Sequence, residues 1–272
     1  MIAVCRNTLI GLAILITPNV AEAASRSART VVIPPSVEAV KQQAMVFFVA
    51  TGAPNACGPG CSEWIAAEGA FDREAHQRLR EFLASQNRKD LPIFFHSGGG
   101  IIGSSVLVGR MLRERRMTAG VGQTLPEGCR YAPMTDAACR ELMRSGREIT
   151  ARLLFSGARC ASGCAYALFG ASTRVIAADA RVGVHAIQMV PRPGQASGNS
   201  AAKNPPKPDY DRLRRYAIEM GVDAGVIDLA RQTGAGRMHW LSRDELVRFG
   251  LLVDNRFETL GSRSTRQERG RQ

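Results

Sequence analysis

The chain has 272 residues, 45% of them hydrophobic, enough for one large domain or two small ones with a true core. Its 36 Lys and Arg against 24 Asp and Glu leave a formal charge of +12, which reads as a solvated basic surface. No zinc-finger spacing, no aromatic run of the RNA-recognition type and no long basic helix accompanies that charge, so no nucleic-acid partner is expected.

The chain opens with Arg6, an apolar run at 9–16 (LIGLAILI) and then Ala21-Glu22-Ala23. A positive start, a short apolar stretch and an A-x-A site predict a secretory signal peptide over 1–23, cut near Ala23-Ala24. The run is too short to span a bilayer, so no integral membrane segment is expected after cleavage, and the mature chain is expected in the periplasm. Cleavage removes Cys5 and leaves six cysteines: Cys57, Cys61, Cys129, Cys139, Cys160 and Cys164. An even number in an exported chain argues for disulfides. Six cysteines allow fifteen pairings, and spacing does not select among them; the three sequence-local couples are the preferred set. A repeated C-x3-C without a nearby His is a poor match to zinc spacing, so no metal and no cofactor is expected.

Residues 24–60 form a polar lead-in that includes a short apolar strand at 44–50 and a Gly/Pro loop. Residues 64–69 (WIAAEG) read as a strand ending in a turn. Asp72 is placed to cap the amphipathic segment 72–86, where Leu79, Phe82 and Leu83 recur at helical spacing. Residues 91–95 (LPIFF) read as a buried strand that stops at His96-Ser97-Gly98-Gly99-Gly100. A helix over 102–116 and a strand over 117–121 follow. Residues 123–147 interrupt the pattern with two prolines, Cys129, Cys139 and a short helix at 138–145. A strand at 149–155 precedes Cys160-Ala161-Ser162-Gly163-Cys164, which opens an apolar helix over 161–170. Strands at 174–177 and 182–187 follow, the second holding His185. Residues 191–208 are rich in Pro, Gly, Ser and Lys and read as a flexible loop. Helices at 209–219 and 222–232, a segment at 241–249 and a last strand at 251–253 complete the domain. Residues 259–272 are predicted to be a disordered basic tail; the final twelve carry four Arg and one Glu. Strands alternating with helices predict an α/β domain with mostly parallel strands, whose C-terminal strand ends gather the ligand site.

Three pieces converge on those ends. Gly98-Gly99-Gly100 lies between a strand and a helix, where backbone N–H groups can hold an anion or oxyanion; a plain tight turn uses the same residues. It is not a P-loop, because no Gly-Lys-Ser/Thr follows. Ser162 starts a helix, where a hydroxyl serves as an N-cap unless a base claims it. His185 sits in an apolar strand, where a hydrogen-bonded core histidine is the plain alternative to a general base. A Ser–His pair is what acyl transfer requires.

The order S-G-G-G, C-A-S-G-C-A, F-G-A-S-T-R-V-I and D-A-R-V-G-V-H resembles the ClpP/crotonase superfamily, and within it the exported ClpP-like proteins with a Cys-Ala-Ser-x-Cys motif. Residues 64–69 and the stretch from Trp240 through Leu251 fit the same pattern. The resemblance spans about 61–254 and implies a spiral fold of repeated β-β-α units over a domain of 61–258. It implies Ser162 as nucleophile, His185 as general base, and Gly99 or Gly100 with Gly163 as the oxyanion hole. The family's aspartate position falls on Gly234 here, and no carboxylate stands within five residues of it. Asp228, Asp211 and Asp209 are the candidates for a third triad member; a Ser–His dyad or a loss of activity are the alternatives. A disulfide at Cys160 or Cys164 would brace the Ser162 turn. The implied activity is an ATP-independent serine peptidase acting on peptides or unfolded chains, in a homo-oligomer and with no ATPase partner, since no ATP is available outside the cytosol. A catalytically impaired binding or assembly protein of the same fold is the first alternative. A crotonase-type acyl-CoA enzyme is the second, and the signal peptide argues against it.

Overall fold

In the computed structural model, residues 43–88, 90–130, 133–188 and 207–252 are described. The predicted signal peptide, the basic tail and nearly all of the 191–208 loop lie outside them; of the predicted 251–253 strand, residues 251 and 252 are described and are not in a strand.

The long apolar runs become the inner strands. β1 (Val46–Thr51), β2 (Glu63–Glu68), β3 (Ile93–His96) and β4 (Thr118–Val121) stand side by side, and Phe48, Trp64, Ile65, Ile93, Phe94 and Phe95 are buried. With β5 (Gln123–Pro126), β6 (Ile149–Leu154) and β8 (Thr173–Ile176) they form a seven-stranded sheet in the order β5-β6-β1-β2-β3-β4-β8. The β1–β6, β2–β3, β3–β4 and β4–β8 pairs are parallel; β1–β2 and β5–β6 are antiparallel. Strands buried on both faces read as continuous apolar runs, and these do. The mixed α/β class with mostly parallel strands is the one the sequence predicts.

A smaller sheet has the order β10-β9-β7, from β7 (Arg159–Ala161), β9 (Arg181–Val184) and β10 (His239–Trp240). Ser97, just past β3, and Cys160 of β7 form a parallel bridge between it and the large sheet. That bridge brings the end of β3 against the end of β7.

The helices are α1 (Ala75–Ser85), α2 (Ile102–Glu114), α3 (Ala137–Arg144), α4 (Gly163–Phe169), α5 (Tyr210–Glu219), α6 (Gly225–Gln232) and α7 (Arg243–Arg248). Asp72 does not cap α1: its carboxylate accepts the Glu74 N–H (2.8 Å) and pairs with Arg78. Arg174 of β8 is buried and donates to Leu168 O (3.3 Å), Phe169 O, Met220 O (3.0 Å) and Gly250 O (3.1 Å). One guanidinium thus satisfies carbonyls at the C-terminal ends of α4, α5 and α7, where a cation also suits the helix dipole.

The three sequence-local cysteine couples are bonded: Cys57–Cys61, Cys129–Cys139 and Cys160–Cys164. Among the described residues no helix is long and apolar enough to cross a membrane.

Candidate functional site

The site grows from the β3–β7 junction. Ser97 donates its N–H to Arg159 O (2.8 Å), and Ala161 donates to Ser97 O (3.0 Å). The chain then turns through Gly98-Gly99-Gly100. Gly99 and Gly100 have φ of 107° and 139°. A Cβ on Gly99 would lie 2.6 Å from Ala161 O and from Ser162 Cβ, and one on Gly100 would lie 2.2 Å from Phe71 O. The glycines are required because the loop runs between the Phe71 backbone and the Ser162 turn. Phe71 holds it there by donating to Gly99 O (2.9 Å) and accepting from Ile101 N–H (2.6 Å).

The second wall is the Ser162 turn. Ser162 has φ 54° and ψ −122°, a conformation that costs a non-glycine residue about 1–3 kcal/mol. Its N–H donates to Gly183 O (2.8 Å) on β9, and the Cys160–Cys164 disulfide closes over the turn. Helix α4 begins at Gly163, and the Ser162 hydroxyl makes no capping hydrogen bond to it. The oxygen lies instead 2.7 Å from His185 Nε2. The capping alternative is therefore not what this hydroxyl does.

His185 is buried and falls one residue beyond the end of β9 rather than within a strand reaching 187. The next two residues are held from elsewhere: Ala186 N–H donates to Thr233 O (2.9 Å) and Ile187 N–H donates to Tyr210 Oη (3.1 Å).

The glycine N–H groups are not equivalent. Gly99 N–H donates to Ser97 Oγ (3.1 Å). Gly100 lies against the start of α4: a Cβ on Gly163 would be 3.0 Å from Gly100 N. Gly100 and Gly163 thus sit together, beside Ser162.

The three candidate aspartates are placed as follows. Asp228 pairs with Arg214, Asp209 accepts the Arg212 N–H (2.8 Å) at the start of α5, and Asp211 is exposed in that helix's first turn. Among the described residues none of the three hydrogen-bonds His185. Gly234 follows Thr233 directly, so it borders the backbone leaving His185, and among the described residues a Cβ there would meet only Arg237 Nε at 4.0 Å.

A polar cluster that the sequence reading does not single out lies next to the glycine loop. Glu68 ends β2, in register with His96 at the end of β3. Its buried carboxylate accepts the Thr124 N–H (2.6 Å), and burial pushes its pKa well above the carboxylate range. His96 Nδ1 accepts the Arg159 N–H (3.3 Å); desolvation, with the Arg159 charge second, pulls its pKa down to about 3. His96 is therefore a neutral acceptor that ties β3 to β7 immediately before Ser97. The only signal for this cluster in the sequence is a polar residue closing each of two apolar runs.

No protein-family model matches the chain, and no characterised protein sequence does. Among solved structures, it is similar to a serine-to-alanine mutant of the 1510-N membrane-bound stomatin-specific protease, at 12% identity over 68% of this chain and 73% of that one, with a TM-score of 0.39. It is similar to ClpP1 from Listeria monocytogenes at 13% identity over 75% of this chain and 88% of that one, TM-score 0.39. An asparagine-to-aspartate mutant of that ClpP1 gives 14% identity, 79% and 91% coverage, and a TM-score of 0.37.

Proposed function

We propose that this protein is an exported ClpP-like serine hydrolase, an ATP-independent peptidase working through a Ser162 acyl-enzyme. One observation carries the reading: the Ser162 hydroxyl, in a positive-φ turn against the glycine loop, contacts His185 Nε2 at 2.7 Å and caps nothing. In this mechanism Ser162 Oγ attacks the scissile carbonyl carbon while His185 Nε2 takes its proton. The Gly100 and Gly163 N–H groups receive the oxyanion; Gly99, already bonded to Ser97, shapes the loop. Collapse of the intermediate breaks the C–N bond, and the leaving amine takes the proton from His185. Water, deprotonated by the same nitrogen, then releases the acyl group. Three disulfides support an oxidising compartment. The order of the Ser and His motifs supports the ClpP-like assignment, and with it a homo-oligomer, which sedimentation of the oxidised protein tests.

The decisive test uses a fluorophosphonate probe. The Ser162 hydroxyl proton passes to His185, the Oγ–P bond forms, and the P–F bond breaks to release fluoride. Labelling of Ser162 is expected, and Ser162→Ala and His185→Ala should each abolish it. A folded, oxidised protein whose Ser162 stays unlabelled refutes the proposal.

A further inference from the structure

We infer that Tyr210 is a positioning residue for His185, acting through the hydroxyl that holds the Ile187 backbone; the inference rests on the Ser162–His185 reading above.

The ladder that carries His185 ends early. Among the described residues the β9–β10 register ends at Val184 and His239, one residue before His185. The two residues after His185 are held from other elements. Ala186 is tied to Thr233 O, at the C-terminal end of α6, and Ile187 is tied to Tyr210 Oη, at the first residue of α5. Two anchors within two residues of an imidazole fix the backbone from which that ring projects.

Tyr210 is a sound anchor because α5 is fixed to the nucleophile's own helix. Leu213, Tyr216 and Ala217 bury one face of α5. Tyr216 Oη donates to Tyr166 O (2.7 Å) on α4, the helix that Ser162 leads into. The contacts close a circuit: Ser162 to α4, Tyr166 O to Tyr216, α5 to Tyr210, Tyr210 Oη to Ile187, His185 back to Ser162. Through this circuit the two tyrosines constrain the distance between nucleophile and base by holding backbone on either side of them. A shift of about 1 Å at such a pair costs up to ~100-fold in rate.

The Thr233 anchor is a backbone carbonyl and resists substitution. The Tyr210 anchor is one hydroxyl, removed by Tyr210→Phe with the ring retained. The experiment compares the wild type, Tyr210→Phe and Ile218→Ala, an exposed change on the same helix. Two readouts are taken: the phosphonylation kinetics of Ser162, and the imidazole resonances and titration of His185 in histidine-labelled protein. The chain has four histidines, and His185→Ala assigns the signal. Tyr210→Phe is expected to lower the maximal phosphonylation rate about 10-fold, with half-saturation unchanged. It should also shift the His185 resonance, and Ile218→Ala should do neither. Wild-type kinetics and an unmoved His185 signal in Tyr210→Phe overturn the inference while leaving the hydrolase reading intact. If the wild type is not phosphonylated, the hydrolase reading fails, and the His185 signal alone decides: moved supports the clamp, unmoved refutes it.

Discussion

Breaking the Cys160–Cys164 bridge should slow the chemistry at Ser162 without unfolding the protein. Cys160 lies on β7 in register with Val182, and Cys164 is the second residue of α4, so the bond joins the strand entering the Ser162 turn to the helix leaving it. The sequence separation is 4, and closing so short a loop contributes about 2 kcal/mol in the chain-entropy picture. The positive-φ conformation of Ser162 costs about 1–3 kcal/mol. The two terms are of one size, so without the bond the turn is free to relax. A loss of about 2 kcal/mol corresponds to ~30-fold in rate. The Cys160→Ala/Cys164→Ala variant, with Cys57–Cys61 and Cys129–Cys139 in place, is expected to be phosphonylated 10- to 30-fold more slowly, by that same conversion, roughly. Its far-ultraviolet circular dichroism and cooperative melt should persist: Cys160 and Cys164 are buried in the core, but alanine at each leaves the surrounding apolar residues in place. An unchanged labelling rate in the folded variant would refute the reasoning, since the bridge would then be spectator to the turn.

Arg174→Met should cost about 3–5 kcal/mol in urea unfolding, because it strands carbonyls at three helix ends inside the protein; a loss under about 1 kcal/mol would contradict that account. Glu68 and His96 give opposite pH signatures. The raised Glu68 pKa means that the folded state keeps a proton the unfolded state gives up above about 4.5, so its contribution is full below that pH and is lost as pH rises. Glu68→Gln keeps the acceptor for Thr124 N–H and should flatten the decline in Tm on the alkaline side; an unchanged slope refutes the assignment. The lowered His96 pKa works the other way, with stability lost as pH falls from about 6.5 towards about 3, and His96→Asn should weaken that acid-side loss in the same melts.

What the sequence reveals and what it hides follow from length and contact range. Val46–Thr51, Glu63–Glu68 and Ile93–His96 are readable because inner strands covered on both faces must be apolar along their whole length. Arg159–Ala161 and His239–Trp240 are not, because three residues and two residues carry no periodicity. Gln123–Pro126 hides for a different reason: it is an edge strand ending in proline, paired antiparallel with β6 inside a stretch marked by cysteines and prolines. Glu68 and His96 read as polar ends of buried runs, the usual mark of a strand emerging into solvent. Here β7 crosses the strand ends and encloses them, a long-range event that no local pattern records.

Ser162 shows where the division falls. Its place in C-A-S-G-C, after the glycine run and before His185, is a property of the sequence. Whether its hydroxyl caps α4 or meets a base depends on one backbone conformation. An N-cap residue normally takes an extended conformation that turns its oxygen onto the first helical N–H groups. At φ 54° and ψ −122° the oxygen turns away from them and towards β9. Three devices hold that conformation and its partner: a disulfide across the turn, glycines that let a loop press against it, and a tyrosine–carbonyl clamp beyond His185. Each acts on backbone next to a reacting side chain. Weakening any one should therefore lower the rate of Ser162 phosphonylation while leaving the labelled residue the same, and only the loss of Ser162 or His185 should end it.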